Sequence, residues 1–142
     1  MKTLVVDASV AIKWLVLEDM SDVAKELSGT AKDIVAPRLI MTEVGNALVR
    51  KTIQGMLTLD EAKTHLDALP RFLPELMDID ELIERAFENA CALRHPIYDL
   101  IYVEAARTID GQLVTADRRF TAKVTGTDLA RHVILLSDWR SE

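Results

Sequence analysis

Lys2–Thr3–Leu4–Val5–Val6–Asp7–Ala8–Ser9 is the stretch on which the reading of this chain turns. Leu4, Val5 and Val6 form a continuous apolar run without alternation, the pattern of a strand covered on both faces. The run starts almost at the first residue, which points to an amino terminus tied into a sheet. It stops at Asp7, and Ala8–Ser9 lead into a helical apolar pattern at Val10, Ala11, Trp14 and Leu15. A carboxylate at the carboxyl end of a buried strand sits where open α/β sheets place their ligands. Asp is also a common cap of a following helix. The two readings separate only if other parts of the chain send acids to the same place.

Outward from this strand, apolar runs and helical patterns alternate. Ser21 and Asp22 start a second helix through Leu27, ended by Gly29. Ile34–Val35–Ala36 is a second strand, and Pro37 precedes a third helix from about Leu39 to Ile53, with Ile40, Val44, Ala47 and Leu48 on its apolar face. Thr58–Leu59–Asp60–Glu61 reads as a capping box, followed by Leu59, Ala62, Leu66 and Leu69 at helical spacing as far as Pro70. Glu75–Met77 is a short third strand. Asp80–Glu81 open a helix with Ile83, Ala86, Phe87, Ala90 and Cys91 facing inward. Tyr98, Ile101, Tyr102, Ala105, Ala106 and Ile109 make a further stripe, and Asp110–Gly111 is a turn. Gln112–Thr115 and Val133–Leu136 complete a set of four or five strands. No two strands are joined by a two-residue hairpin, so the expected fold is a three-layer α/β/α sandwich around a mostly parallel sheet. No repeat or linker interrupts it, and residues 1–142 are expected to form one domain.

With 49% hydrophobic and 28% charged residues the composition is that of a globular chain. No apolar run approaches the roughly 20 residues of a membrane span. One Lys followed by a short run ending in Asp is not a signal-peptide layout. A single cysteine excludes an internal disulfide and a cysteine-rich zinc module. A cytoplasmic location is the expectation. The net charge of −6 argues against a broad basic face for nucleic acid. It leaves nucleic acid open as a substrate, because bound cations can reverse the charge of an acidic site.

Four acids stand where ordinary surface charge is less expected. Asp7 follows the first strand, and Glu43 lies early in the third helix with Asn46 and Arg50 on its face. Asp99 is in the first turn of the helix that begins near Tyr98, and Asp117 comes two residues after the fourth strand. Asp99 also suits dipole compensation, Asp117 an N-cap, and Glu43 a solvated helix face. Capping gives no reason, however, for four such acids on one edge. The ends of strands one and four can adjoin at a switch point, onto which helix starts also open. Clustered carboxylates repel, and a hard divalent ion such as Mg2+ or Mn2+ resolves the conflict with oxygen ligands.

Val6–Asp7–Ala8–Ser9, Pro37–Arg38–Leu39–Ile40–Met41–Thr42–Glu43–Val44–Gly45–Asn46–Ala47–Leu48, Tyr98–Asp99–Leu100–Ile101–Tyr102 and Val114–Thr115–Ala116–Asp117–Arg118–Arg119–Phe120 resemble the ordered motifs of PIN-domain ribonucleases. Each motif is weak alone; the four in this order are a strong signal across essentially the whole chain. Within the superfamily the chain looks like a VapC-type toxin of a toxin–antitoxin pair. The resemblance implies that Asp7, Glu43, Asp99 and Asp117 form an acidic catalytic quartet. Asp7, Asp99 and Asp117 then hold Mg2+ or Mn2+, with Thr115, Ser9 and Asn46 in support. It further implies hydrolysis of RNA by metal-activated water, leaving a 5′-phosphate and a 3′-hydroxyl, a VapB-like antitoxin partner whose basic side chain enters the acidic groove, and homodimers. Arg118, Arg119 and Arg38, with Arg50 and Lys13, are candidate contacts to the RNA backbone; solvated charge is the other reading. Trp14, Leu17 and Met20 are candidate interface residues, with ordinary core as the other reading of Trp14. His65, His95 and His132 share no motif and are read as structural or exposed, and Cys91 as a buried, inert thiol.

Two rivals belong to other classes. An Asp-nucleophile phosphatase also opens on an apolar strand and an Asp, but it needs a second Asp where this chain has Ser9. A non-catalytic PIN-like binding module would carry the acids only for fold or partner contacts, and the intact quartet argues against it.

Overall fold

The computed structural model describes residues 3–30 and 33–141. β1 (Thr3–Val6) is the middle of a five-stranded parallel sheet in the order β3 (Leu76–Met77), β2 (Asp33–Pro37), β1, β4 (Gln112–Thr115), β5 (Val133–Leu135). Successive strand residues point to opposite faces. Val5 and Val6 are both wholly buried, so β1 is covered on both sides, as its unbroken apolar run requires. On one side α6 (Ile97–Thr108) packs on β1, β2 and β4, with α5 (Ile83–Leu93) behind it. α1 (Ala8–Leu15) packs on β1 and β4 and is backed by α2 (Ser21–Thr30), α3 (Leu39–Ile53) and α4 (Leu59–Phe72). α7 (Arg118–Val124) lies against β5. No helix of the described residues is long and apolar enough to cross a membrane.

The strand order sets the position of the site. The chain runs from β1 outward through β2 to β3, then returns to the other side of β1 for β4 and β5. The winding direction therefore reverses between β1 and β4, which pair in parallel with Val6 opposite Val114. Asp7 and Asp117 follow the carboxyl ends of these two strands, at the crevice such reversals create. Close approach on the opposite edge depends on Gly111: a Cβ there would run into the Thr3 carbonyl, and its N–H bonds to Ala106 at 2.8 Å.

Several boundary and burial expectations are corrected. α2 continues through Gly29 to Thr30, because a glycine at an exposed helix end costs less than the about 1 kcal/mol of a helix interior relative to alanine. α4, started by the expected Thr58–Glu61 capping box, runs through Pro70 to Phe72. Pro70 lies near the helix end, where the buried Leu69 and Leu73 anchor the turn. α5 follows a 3-10 turn (Asp80–Leu82), and turn and helix together bury the narrow line Leu82, Ala86 and Ala90. The small alanines let α6 come close along that line. The neighbouring stripe therefore stays outside: Cys91 and Ile83 are exposed, and Phe87 is 59% exposed. Trp14 is core, stacked on Phe72 at 5.1 Å with its indole N–H on the Ala24 carbonyl at 2.8 Å. That removes it from the candidate interface residues, whereas Leu17 is 84% exposed.

Candidate active site

Asp7 is buried at the junction of β1 and α1 and is bonded on every side. Ser9 Oγ donates to its Oδ1 and Thr115 Oγ1 to its Oδ2, both at 2.5 Å, and the Val10 amide donates to Oδ1 at 3.3 Å. The two hydroxyls are oriented in turn, Ser9 Oγ by the Ala116 amide at 2.9 Å and Thr115 Oγ1 by the Asp117 amide at 3.1 Å. Burial pushes the Asp7 carboxyl up to about 6 against the pull of the two hydroxyl bonds, and the charge of Asp99 adds to the rise. Asp7 caps α1 and also presents a carboxylate to the crevice. With two oxygens and several lone pairs, one group performs both tasks.

The same duality holds at Asp117. Its Oδ1 accepts from the Phe120 amide at 3.0 Å and caps α7, which leaves Oδ2 for the crevice. Asp99 differs: it caps no helix amide, and its Oδ2 meets His95 Nε2 at 2.7 Å. Glu43, half-buried on α3, is also raised, first by burial and further by the charge of Asp99, with Tyr102 opposing. The Tyr102 hydroxyl is buried close to Glu43, yet it has no well-formed hydrogen bond among the described residues. Burial and then the Glu43, Asp7 and Asp99 charges hold that hydroxyl protonated.

Asp7, Glu43, Asp99 and Asp117 line one cavity of about 700 Å3, together with Ser9, Thr42, Asn46, Arg50 and Tyr98. Four elements separated widely in sequence therefore deliver one carboxylate each. Ser9 and Thr115 both bond Asp7. Asn46 lines the wall but, among the described residues, bonds none of the acids. Arg50 is the cation on this wall among the described residues. Arg38 lies in an adjoining depression that shares Leu39 and Thr42 with the cavity, and it pairs with Asp78 at 3.5 Å. Arg118 and Arg119 are exposed at the start of α7, outside the cavity lining. Lys13 is drawn away from the expected path: its ammonium and that of Lys51 both hold Glu18, at 3.1 and 3.0 Å.

The sequence reading passed over three residues. Tyr98 belongs to the apolar stripe of its helix but is 54% exposed on the cavity wall, because it precedes the turn of α6 that meets the sheet. The pattern counts His95 as structural or exposed and Tyr102 as part of an apolar stripe, although they stand four residues before and three after Asp99. Three is a spacing that puts side chains beside one another on a helix, whereas His95 lies in the turn before α6 and is brought to Asp99 by that turn.

The donor set fits a hard divalent cation. Every candidate ligand is oxygen, two of the carboxyls are raised, and Tyr102 leaves an unpaired hydroxyl against them. Among the described residues no three His, Cys, Asp or Glu side chains are gathered into a ready-made cage. The acids instead ring an open cavity, as befits a cation that keeps part of its water.

The all-parallel sheet carries an acid after β1 and another after β4, which share one cavity with acids of α3 and α6, and residues 4–124 match the PIN domain model. The chain belongs to the PIN domain family. Within it, the chain is 36% identical to Ribonuclease VapC3 of Pyrobaculum aerophilum over 124 residues, 84% of this chain and 93% of that one. The fold is shared with PAE2754 from Pyrobaculum aerophilum, with a TM-score of 0.71 and 20% identity over 96% of this chain and 85% of that one. It is likewise shared with a chain of a toxin–antitoxin complex from Klebsiella pneumoniae, with a TM-score of 0.63 and 17% identity over 94% and 97% of the two chains.

Proposed function

We propose that this chain is a divalent-metal-dependent endoribonuclease, the toxin of a VapBC-type pair, organised as a single PIN domain. One observation carries the chemistry: Asp7, Glu43, Asp99 and Asp117 face one cavity, with Asp7 raised to about 6 by burial. The likeness to a ribonuclease VapC supports the choice of RNA.

Asp7, Asp99 and Asp117 are the residues that would hold the cation. When bound, Mg2+ or Mn2+ supplies Lewis acidity toward a phosphoryl oxygen and makes water a nucleophile near neutral pH. The chain's own groups do the rest. Ser9 and Thr115 fix both oxygens of Asp7, so the carboxylate is already oriented before substrate arrives. Glu43, raised by burial and by Asp99, is suited to take a proton from the attacking water at its carboxylate. Arg50 offers a charge-assisted contact to a neighbouring phosphate. The exposed Tyr98 ring suits stacking on an unpaired base. Arg118, Arg119 and Arg38 extend the basic path outside the cavity.

An antitoxin partner is supported by the likeness to a chain of a toxin–antitoxin complex. An acidic cavity accepts a basic side chain. The open apolar groove between α3 and α4, with Val49, Ile53 and Leu59 more than half exposed, offers area for the partner to cover. A homodimer completes the proposal.

The test is cleavage of RNA by purified protein with Mg2+ or Mn2+. Activity is expected to vanish in EDTA and in folded Asp7→Asn and Asp99→Asn proteins, with 5′-phosphate ends on the products. Full activity in EDTA overturns the reading.

A further inference from the structure

His95 sits at a turn built from several sides. α5 ends with Arg94 in the left-handed region at φ 53°, and the amides of Arg94 and His95 return to the carbonyls of Cys91 and Ala90 at 3.3 and 3.0 Å. Non-glycine residues are uncommon in that region, and such strain persists where the surroundings dictate the conformation. Lys123 of α7 binds the Arg94 carbonyl at 2.9 Å. The imidazole packs on the Phe120 ring, 5.0 Å between centroids at a tilt of 37°. Phe120 is itself almost wholly buried, and its amide holds Asp117 Oδ1. The first turn of α7 therefore supports Asp117 directly and Asp99 through the histidine.

The Asp99 carboxylate can only accept, so His95 Nε2 donates the hydrogen whichever charge the ring carries. Because Asp99 caps no amide of α6, this bond is the contact that sets its rotation among the described residues. We infer that His95 is a positioning residue for Asp99, holding Oδ2 so that Oδ1 faces the cavity and a divalent cation. The inference rests on the metal-dependent reading proposed above. It extends that reading by assigning a role to a side chain outside the acidic quartet.

The test is calorimetric titration of RNA-free protein with Mn2+, using His95→Leu, His95→Asn and His95→Gln, each first shown by its thermal melt to be folded. Leu keeps apolar contact with Phe120 but removes the donor. Asn keeps polarity but falls short of Asp99, while the Gln amide reaches to the place of Nε2. Hydrogen-bond partners of metal-binding carboxylates are typically worth 10–100-fold in affinity. We expect about tenfold weaker Mn2+ binding in the Leu and Asn proteins, at the lower end of that range, and recovery of most of it in Gln. In cleavage assays kcat falls while KM for RNA stays unchanged. Should the Leu protein not fold, the contrast between Asn and Gln decides. Equal Mn2+ affinity in parent and donor-less variants overturns the inference alone, as does a Gln protein no tighter than Asn. A parent that binds no Mn2+ overturns it together with the metal-dependent reading.

Discussion

Replacing Asp7 by Asn is expected to stabilise the metal-free protein at pH 8 while abolishing cleavage. The Asp7 carboxyl ionises near 3.8 in an unfolded chain and near 6 when buried in the fold. Between those values the folded state holds the proton that the unfolded state has lost. Stability from this group is therefore fully present below 3.8 and is lost as pH rises through 6. The loss amounts to about 3 kcal/mol by pH 8. Asn carries no charge to desolvate. It can still accept from Ser9 and Val10, but the Thr115 hydroxyl must reverse to accept from its amide, at a cost of about 1 kcal/mol. A net gain of about 2 kcal/mol remains, a rise in melting temperature of about 6 °C for a chain of this size. The assay is urea unfolding in EDTA at pH 4 and pH 8. The parent should lose stability across that interval relative to the variant, and saturating Mn2+ should restore the parent without affecting Asn. An Asn protein less stable than the parent at pH 8 in EDTA would refute the reasoning.

Thr115→Val removes the hydroxyl that donates to Asp7 Oδ2 and receives the Asp117 amide. It should cost about 2 kcal/mol at pH 8, less at pH 4 where Asp7 is protonated, and should move the Asp7 titration further up, as read by the same urea melts. Two glycines should respond with opposite signs in thermal melts. Gly111→Ala drives a Cβ into the Thr3 carbonyl and is expected to destabilise by about 2 kcal/mol, whereas Gly29→Ala, with open space at an exposed helix end, should gain about 0.5 kcal/mol. Arg50→Ala should raise KM for RNA several-fold with little change in kcat, because Arg50 stands on the cavity wall beyond the acids; an unchanged KM removes it from the substrate path.

How far the chain was legible depended on how local the determining forces are. The β1 strand, the Thr58 capping box, the span of α3 and the parallel sheet all follow from neighbouring residues, because burial patterns and caps operate over a turn or a strand. The end of α4 was misjudged at Pro70 because buried Leu69 and Leu73 outweigh the propensity of one residue. Cys91 and Phe87 are exposed against their pattern, because an amphipathic pattern gives the width of a helix's apolar face and leaves open which line is buried. The close approach of α6 along Ala86 and Ala90 decided that.

The acids follow the same division. That Asp7 and Asp117 each stand at a strand end and cap a helix was written in the residues beside them. Sequence alone therefore determined a parallel α/β chain with acids at element ends, since those features need only short-range periodicity and capping. Tertiary structure decided that the acids share one cavity, because only the β1–β4 pairing joins strand ends more than 100 residues apart. It also decided that Lys13 is drawn off to Glu18 and that His95 and Tyr102 reach Asp99 and Glu43. Burial and mutual charge arise when these elements pack together, and it is there that a capping aspartate at position 7 becomes a carboxyl raised to about 6.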